Sequence, residues 1–291
     1  MNLNYLKKGM NKMLNWMKSV SLWTDVCTDM DMLKMIKNAG FDGIDAGFDE
    51  HFFDEDNWEE KAYKIKDCFE QIGLKCAQVH LPFYNIFESS EVYHDHKEYE
   101  IKYSFKCMSI LGAKWGTYHP MSSTNFDYDP KRAMKDNQEK IKKYLEEAAK
   151  YNVGIAVENL PVFPDCPQYK FFTSNYEDHC ELVDSFNSEL VGVCWDFGHA
   201  NLMKYDKAKV LDIMGERVKI VHMHNNTEMC DLHIAPCIGT VKWEELIPIL
   251  VKNKFSGSLN LEIKINLVTP QMRQAYVEFC SKNADEMLKL G

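Results

Sequence analysis

The sequence predicts an α/β protein built as a single (β/α)8 barrel, and three observations carry that prediction. Short apolar runs rich in Val and Ile recur along the chain, separated by segments long enough to hold a helix; such runs read as buried parallel strands with crossover helices. Eight strand-then-helix units can be counted, at a period of roughly 25 to 40 residues, as a closed parallel barrel requires. The later runs end in a carboxylate or an imidazole: Glu158 after Gly154–Val157, Asp196 after Val191–Trp195, His222 after Val218–Val221 and Glu262 after Ser258–Leu261. Strand C-termini of a parallel barrel share one face, so these side chains would converge where such barrels carry their chemistry.

The elements follow in order. The first strand is read near Met17–Trp23 and is followed by a helix over Asp29–Ala39. The second, Gly43–Gly47, leads to a helix over Asn57–Ile72 that Gly73 can cap. The third, Lys75–His80, precedes a long loop and a helix over Glu91–Leu111, with Gly112 at its end. The fourth, Lys114–His119, is stopped by Pro120, and Pro130 suits the first turn of the next helix, which runs to Tyr151. The fifth strand is Gly154–Asn159; a loop with Pro161, Pro164 and Pro167 separates it from a helix over Tyr176–Phe186. The sixth is Val191–Asp196 with a helix near Asp206–Met214, and the seventh is Val218–His224 with a helix over Trp243–Asn253. The eighth is Gly257–Ile263, and the last helix covers Pro270–Leu288.

Bulk properties narrow the class. The 291 residues suit one barrel, since such folds reach about 250 residues as one domain. No linker or low-complexity tract divides them, so an N-terminal extension over 1–15 and a barrel over 16–291 are expected. A hydrophobic content of 45% supports a large core. No run approaches the roughly 18 apolar residues of a membrane span, and Met1–Lys12 has no apolar signal-peptide core. Ten cysteines are scattered without a CxxC pair, which reads as buried free thiols in a reducing, cytoplasmic setting. The net charge of -10 and the presence of only Arg132, Arg217 and Arg273 argue against nucleic acid as a partner, because gripping phosphates needs a positive surface. By the strand assignment, none of these arginines lies on the C-terminal face.

The polar residues at strand ends number more than four. His80 and His119 end the third and fourth strands, His199 follows Asp196 by three residues, and Asp231 and His233 form a D-x-H pair after the seventh strand. Each has an ordinary structural explanation. A lone histidine is more often a satisfied core or surface group, Asp231 could be a solvated turn residue, and Asp196-x-x-His199 could be a helix cap. Glu158 and Glu262 resist such explanations, because a carboxylate in a buried strand needs a partner or a metal. Together they outweigh the separate readings: chance does not readily put carboxylates or imidazoles at six successive strand ends. Asp45 reads as a hydrogen-bonding partner and Trp243 as packing at a helix start. Trp23, Phe83, Tyr84 and Trp195 are either barrel core or the apolar wall of a sugar site.

At these residues the chain resembles a known family. Val157-Glu158-Asn159, the run Val193-Cys194-Trp195-Asp196-Phe197-Gly198-His199-Ala200-Asn201, His222-Met223-His224-Asn225-Asn226, Asp231-Leu232-His233 and Glu262 look like the sugar phosphate isomerase/epimerase family of xylose isomerase-like barrels. The likeness covers nearly the whole chain from Met17. It implies a divalent metal held by Glu158, Asp196, His222 and Glu262, with His224 a competing match for His222. The same superfamily contains endonuclease IV, whose three-zinc pattern also matches, on His80, His119, Glu158, Asp196, His199, His222, Asp231, His233 and Glu262. Charge favours the sugar enzyme, an abasic-site nuclease is the alternative, and a non-catalytic sugar-binding barrel is a third.

Isomerase chemistry has its own physical case. Removing a proton beside a carbonyl gives an enediolate with negative charge on oxygen, which a metal stabilises. Inversion needs a base on one face of the carbon and an acid on the other, and Glu158 and Glu262 approach from different strands. The oxygen-rich set favours Mn²⁺ or Mg²⁺, while added histidines admit Co²⁺ or Zn²⁺. His80, His119, His199, Asp231 and His233 would touch substrate or further metal, and Lys264 could hold a phosphate. The expected partner is a small sugar; a homo-oligomer is compatible with everything above.

Overall fold

The computed structural model describes residues 13–83, 90–120, 123–124, 128–163 and 169–291. Eight parallel strands form one sheet: β1 (Lys18–Trp23), β2 (Gly43–Gly47), β3 (Lys75–His80), β4 (Trp115–Tyr118), β5 (Gly154–Glu158), β6 (Val191–Asp196), β7 (Val218–His222) and β8 (Leu259–Leu261). Their order is β8-β1-β2-β3-β4-β5-β6-β7. The seam between β7 and β8 is closed by Met223 N donating to Asn260 O (2.8 Å) and Glu262 N donating to Met223 O (3.2 Å). The predicted TIM barrel is therefore the observed fold. A two-stranded antiparallel pair, Ser123–Thr124 with Tyr169–Lys170, lies outside it.

The helices are α1 (Met30–Asn38), α2 (Trp58–Ile72), α3 (Glu91–Leu111), α4 (Pro130–Lys150), α5 (Tyr176–Ser185), α6 (Phe197–Leu202), α7 (Lys207–Met214), α8 (Trp243–Lys252) and α9 (Pro270–Met287). Side chains of Asp29, Ser90, Asp129, Asn175 and Asp206 accept from backbone N–H groups of the first turns of α1, α3, α4, α5 and α7, satisfying donors that a helix start leaves unpaired. Gly73 and Gly112 end α2 and α3 at φ 75° and 82°, a left-handed conformation that glycine adopts without steric cost. Buried apolar residues such as Leu33 and Ile36 of α1 and Ile65 and Phe69 of α2 join the strands' outward faces in one cluster, each worth roughly 1.5–3 kcal/mol of burial.

The barrel interior has two characters. On the β5–β7 side Ala156, Cys194 and Ile220 form a small apolar plug with Trp115 against it. On the β8–β1–β2 side the filling is polar: Ser19 bonds Ser258 (2.9 Å) and Asn260 (2.8 Å), and Asp45 accepts from Ser21 (2.9 Å) and Asn260 (3.0 Å). Buried polar groups demand partners, and this network supplies them up to the floor of the site.

Several boundaries differ from the sequence reading. β4, β5, β7 and β8 end before His119, Asn159, His224 and Ile263. Asn159 leaves the ladder because its side chain does the pairing: Nδ2 donates to Asp196 O (2.9 Å) and Asp196 N donates to Asn159 Oδ1 (2.7 Å). Helix α6 is additional to the elements read in order, and it bears out Asp196-x-x-His199 as a helix cap: Asp196 Oδ1 accepts from His199 N at 2.6 Å directly after β6. Residues 1–12 of the proposed N-terminal extension lie outside the described residues, whereas Leu14 is tied to Leu288 O (2.9 Å). The nine described cysteines are all unpaired, and no described helix is long and apolar enough to cross a membrane.

Candidate metal centre

Strand register brings the four principal residues together. A register shift between Val193 and Cys194 aligns Asp196 with His222, and Glu158 lies beside Cys194 across β5–β6. One donor atom from each of Glu158, Asp196, His222 and Glu262 falls within 4.8 Å of the others. His222 Nδ1 stands 2.7 Å from Glu158 Oε1, 3.3 Å from Glu262 Oε2 and 3.8 Å from Asp196 Oδ2. Its other nitrogen points down into the polar interior, 3.2 Å from Thr117 Oγ1 and 3.4 Å from Asp45 Oδ2. Asp45 and Thr117 thus orient the ring from behind, the arrangement by which a metal-binding imidazole is fixed in its tautomer. Asp45 is the hydrogen-bonding partner the sequence suggested.

A second group adjoins the first. His199, His224, Asp231 and His233 also present donor atoms within 4.8 Å of one another, as do His80, His119 and Glu158. His224, two residues after His222, projects from the same side of the strand line; its Nε2 is 3.1 Å from Asp196 and its ring stacks on His233 at 3.9 Å. The two histidines that competed for one role therefore occupy different groups, with Asp196 shared between them. Only glycine fits at position 198, where a Cβ would fall 1.8 Å from His224 Cε1.

Asp231 and His233 return to the barrel on a stapled loop. Asn225 and Ile234 exchange backbone bonds of 3.0 and 3.3 Å. The Asn225 side chain donates to Pro236 O (2.6 Å) and accepts from Asn226 N and Val241 N, and Trp243 Nε1 also donates to Pro236 O (2.7 Å). His233 adopts φ 49°, an uncommon conformation for a non-glycine residue. It is held there by Asp231 Oδ2 (2.8 Å) and Glu262 O (3.1 Å).

Charge is concentrated at this spot. Burial pushes the Glu158 carboxyl up, but the imidazoles of His119 and His222 outweigh it and hold the group well below the usual range. Burial likewise opposes, and His199 and His224 overcome, the fall of Asp196 to about 2. Burial works against protonated His199 and His233, yet Asp196 and Asp231 raise His199 to about 10 and Asp231 raises His233 to about 9. Burial raises Glu262 and lowers His80 to about 4. Glu262 Oε2, Asp231 Oδ1 and His224 Nδ1 are buried without a hydrogen-bond partner. Orphaned buried acceptors among imidazoles are what a cation site requires, so these residues fit a divalent ion.

A pH prediction follows for the chelated protein. His199 and His233 have folded pKa values above their unfolded values. Their stabilisation is complete below about 6.5 and is lost as pH rises through about 9 and 10. In chelator the melting temperature should fall between pH 6.5 and 10 by several degrees. A saturating divalent ion at Glu158, Asp196, His222 and Glu262 would set its positive charge against both imidazoles and lower their pKa values, so the decline should be shallower. A flat or rising melting temperature in chelator would contradict this electrostatic picture.

Above the group lies a cavity of about 600 Å³ lined by Trp23, Phe83, His80, Asp45, His233, Glu262, Lys264 and Arg273, among others. Trp23 and Phe83 are exposed and 5.6 Å apart, with Phe83 stacked on His80 at 4.6 Å, so these two form an aromatic wall and Lys264 joins the lining. Trp195 does not. Strand alternation sends it away from Asp196, and it is 1% exposed in the core beside Phe197. Tyr84 lies outside the described residues, as do parts of the loops Leu81–His94 and Leu160–Asn175. A further correction concerns charge: Arg273 lines this cavity, although its place in a helix had suggested otherwise. Thr117 also belongs to the site, and no sequence signal pointed to it; His224, weighed only as a rival of His222, has a place of its own beside His199, Asp231 and His233.

The family model described as xylose isomerase-like TIM barrel matches residues 33–278. Two curated relatives are uncharacterized proteins: y4fM of Sinorhizobium fredii, 32% identical over 38% of this chain and 33% of its own length, and MJ1311 of Methanocaldococcus jannaschii, 23% identical over 53% of each. The chain thus spans a third to a half of the curated relatives it matches. Among solved structures, D-psicose 3-epimerase from Clostridium cellulolyticum H10 shares a TM-score of 0.75 at 12% identity, over 94% of this chain and 99% of that one. The zinc-bound IOLI protein gives 0.69 at 17% over 93% and 96%. An AP endonuclease, family 2, from Brucella melitensis gives 0.67 at 18% over 85% and 93%. At these identities the structures show a shared fold.

Proposed function

The chain belongs to the xylose isomerase-like TIM barrel family, and on that footing we propose that it is a divalent metal-dependent sugar isomerase or epimerase acting by proton transfer beside a carbonyl. The observation that carries this reading is the meeting of Glu158, Asp196, His222 and Glu262 within 4.8 Å at the edge of an aromatic-walled cavity that also includes Glu262. An ion bound there supplies positive charge to a substrate carbonyl as an enediolate develops. The remaining work falls to the chain. Trp23 and Phe83 offer apolar faces to a sugar ring, and His80, which lines the same cavity, offers a nitrogen to a hydroxyl. Glu158 and Glu262 come from β5 and the end of β8, so they can serve opposite faces of one carbon, one taking and the other giving a proton. Burial keeps Glu262 above the ordinary carboxyl value, which suits it to carry a proton.

A second reading, a zinc-dependent abasic-site nuclease, is favoured by the two further donor groups around His80–His119–Glu158 and His199–His224–Asp231–His233. Against it stands the net charge of -10, since phosphate neutralisation supplies much of DNA affinity, although Arg273 does line the cavity. Metal analysis of the purified protein, paired with an abasic duplex cleavage assay, separates the two. One ion per chain and no cleavage are expected. Three zinc ions per chain with metal-dependent cleavage would overturn the sugar reading.

A further inference from the structure

We infer that the sugar handled at this site carries an anionic group, phosphate or carboxylate, bound by Lys264 and Arg273. This inference rests on the sugar-enzyme reading and specifies its substrate class. Both cations line the cavity that contains Glu262, His80 and the Trp23–Phe83 wall. Both come from the segment that leaves β8: Lys264 precedes the short 3-10 turn Ile265–Leu267, and Arg273 lies in the first turns of α9.

Their hydrogen bonding leaves them available. Arg273 Nε donates to Val268 O (3.0 Å) and Nη2 to Asn266 O (3.4 Å). Those bonds fix the guanidinium against the turn while using two of its five donors. No carboxylate of the described residues lies within the 4.0 Å ion-pair distance of Lys264 or Arg273. Arg217, by contrast, is paired with Asp184 at 2.6 Å. Asp25, Asp29, Asp45 and Glu262 line the same cavity; Asp29 is engaged as the cap of α1, Asp45 by Ser21 and Asn260, and Glu262 faces His222 and His233. Two cations without an ion pair on one cavity suit an anionic substituent, and the fixed guanidinium presents parallel donors matched to phosphate or carboxylate oxygens.

Spacing sets where that anion would sit. Lys264 follows Glu262 by two residues, so their Cα atoms are at most about 7 Å apart. Glu262, Lys264 and Arg273 line one cavity, so a short sugar with its carbonyl end at Glu262 can place a terminal substituent at the two cations.

The test compares neutral ketoses, their terminal phosphates and hexuronates. Metal-loaded wild type, Lys264→Gln and Arg273→Gln are assayed for solvent deuterium incorporation into substrate, and inorganic phosphate binding is measured by calorimetry. Wild type should favour one anionic class over its neutral parent, and each variant should reduce that preference about tenfold, the loss of one charged hydrogen bond. Phosphate-ester preference or uronate preference identifies the group. Inorganic phosphate should bind wild type and bind each variant more weakly. Exchange of neutral sugars with no anionic preference, and no difference in phosphate binding among the three proteins, would overturn the inference while leaving the sugar-enzyme reading intact. Variant-sensitive phosphate binding without exchange of any sugar would instead sustain the anion site and overturn the reaction assigned to it.

Discussion

Replacing Glu158 by Gln is expected to lower sugar turnover by about 10³-fold or more, the scale on which a positioned acid–base group acts, with the barrel still folded. Glu158 is 1% exposed, and its two oxygens face different imidazoles, His222 at 2.7 Å and His119 at 2.6 Å. Glutamine keeps the volume but removes the charge that both imidazoles face. It also takes a donor into a position where a cation needs an acceptor. Metal content should fall with activity, and far-UV circular dichroism should not change. Near-normal turnover with metal still bound would contradict both roles given to this carboxylate.

Glu262→Gln should cost about 10²- to 10⁴-fold in turnover but retain more metal than Glu158→Gln. The difference follows from position. The Glu262 side chain is 22% exposed and lines the cavity, and it lies just beyond the ladder of β8. Among the described residues its imidazole ion-pair contacts are His222 (3.3 Å) and His233 (3.7 Å), with a His80 nitrogen within 4.8 Å. Losing it should therefore remove proton transfer on the cavity side more completely than it empties the metal group. Titration with Mn²⁺ of both variants separates the effects. Equal loss of metal in both, or full activity in Glu262→Gln, would contradict the division of labour.

The fold was legible because buried parallel strands produce near-continuous apolar runs and because Gly73, Gly112 and Pro130 punctuate the helices. Glu158, Asp196, His222 and Glu262 were legible for a related reason: a carboxylate at the end of such a run has no inexpensive structural excuse. What escaped depended on register and on long-range folding. Trp195 was ambiguous because an aromatic beside a site residue reads the same whether it faces the cavity or the core; alternation from Asp196 decides it. Arg273 was placed away from the site because its neighbours in sequence are helical, and nothing local shows that the first turns of α9 border the β8 exit. Helix α6 was absent from the elements read in order since Asp196 both ends β6 and starts the helix, so the usual gap between strand and cap is absent. Asn225 carried no local sign that its side chain pins the loop that delivers Asp231 and His233.

The most direct test of metal-dependent proton transfer is solvent exchange at carbon. Ketoses, with and without acidic substituents, are incubated with the metal-loaded protein in heavy water and read by NMR. Deuterium should appear at the carbon beside the carbonyl of at least one sugar, vanish on chelation and return with added Mn²⁺ or Mg²⁺. Conversion of a sugar without deuterium incorporation would contradict the proton-transfer role of Glu158 and Glu262, and metal-independent exchange would contradict the role of the Glu158–Asp196–His222–Glu262 group.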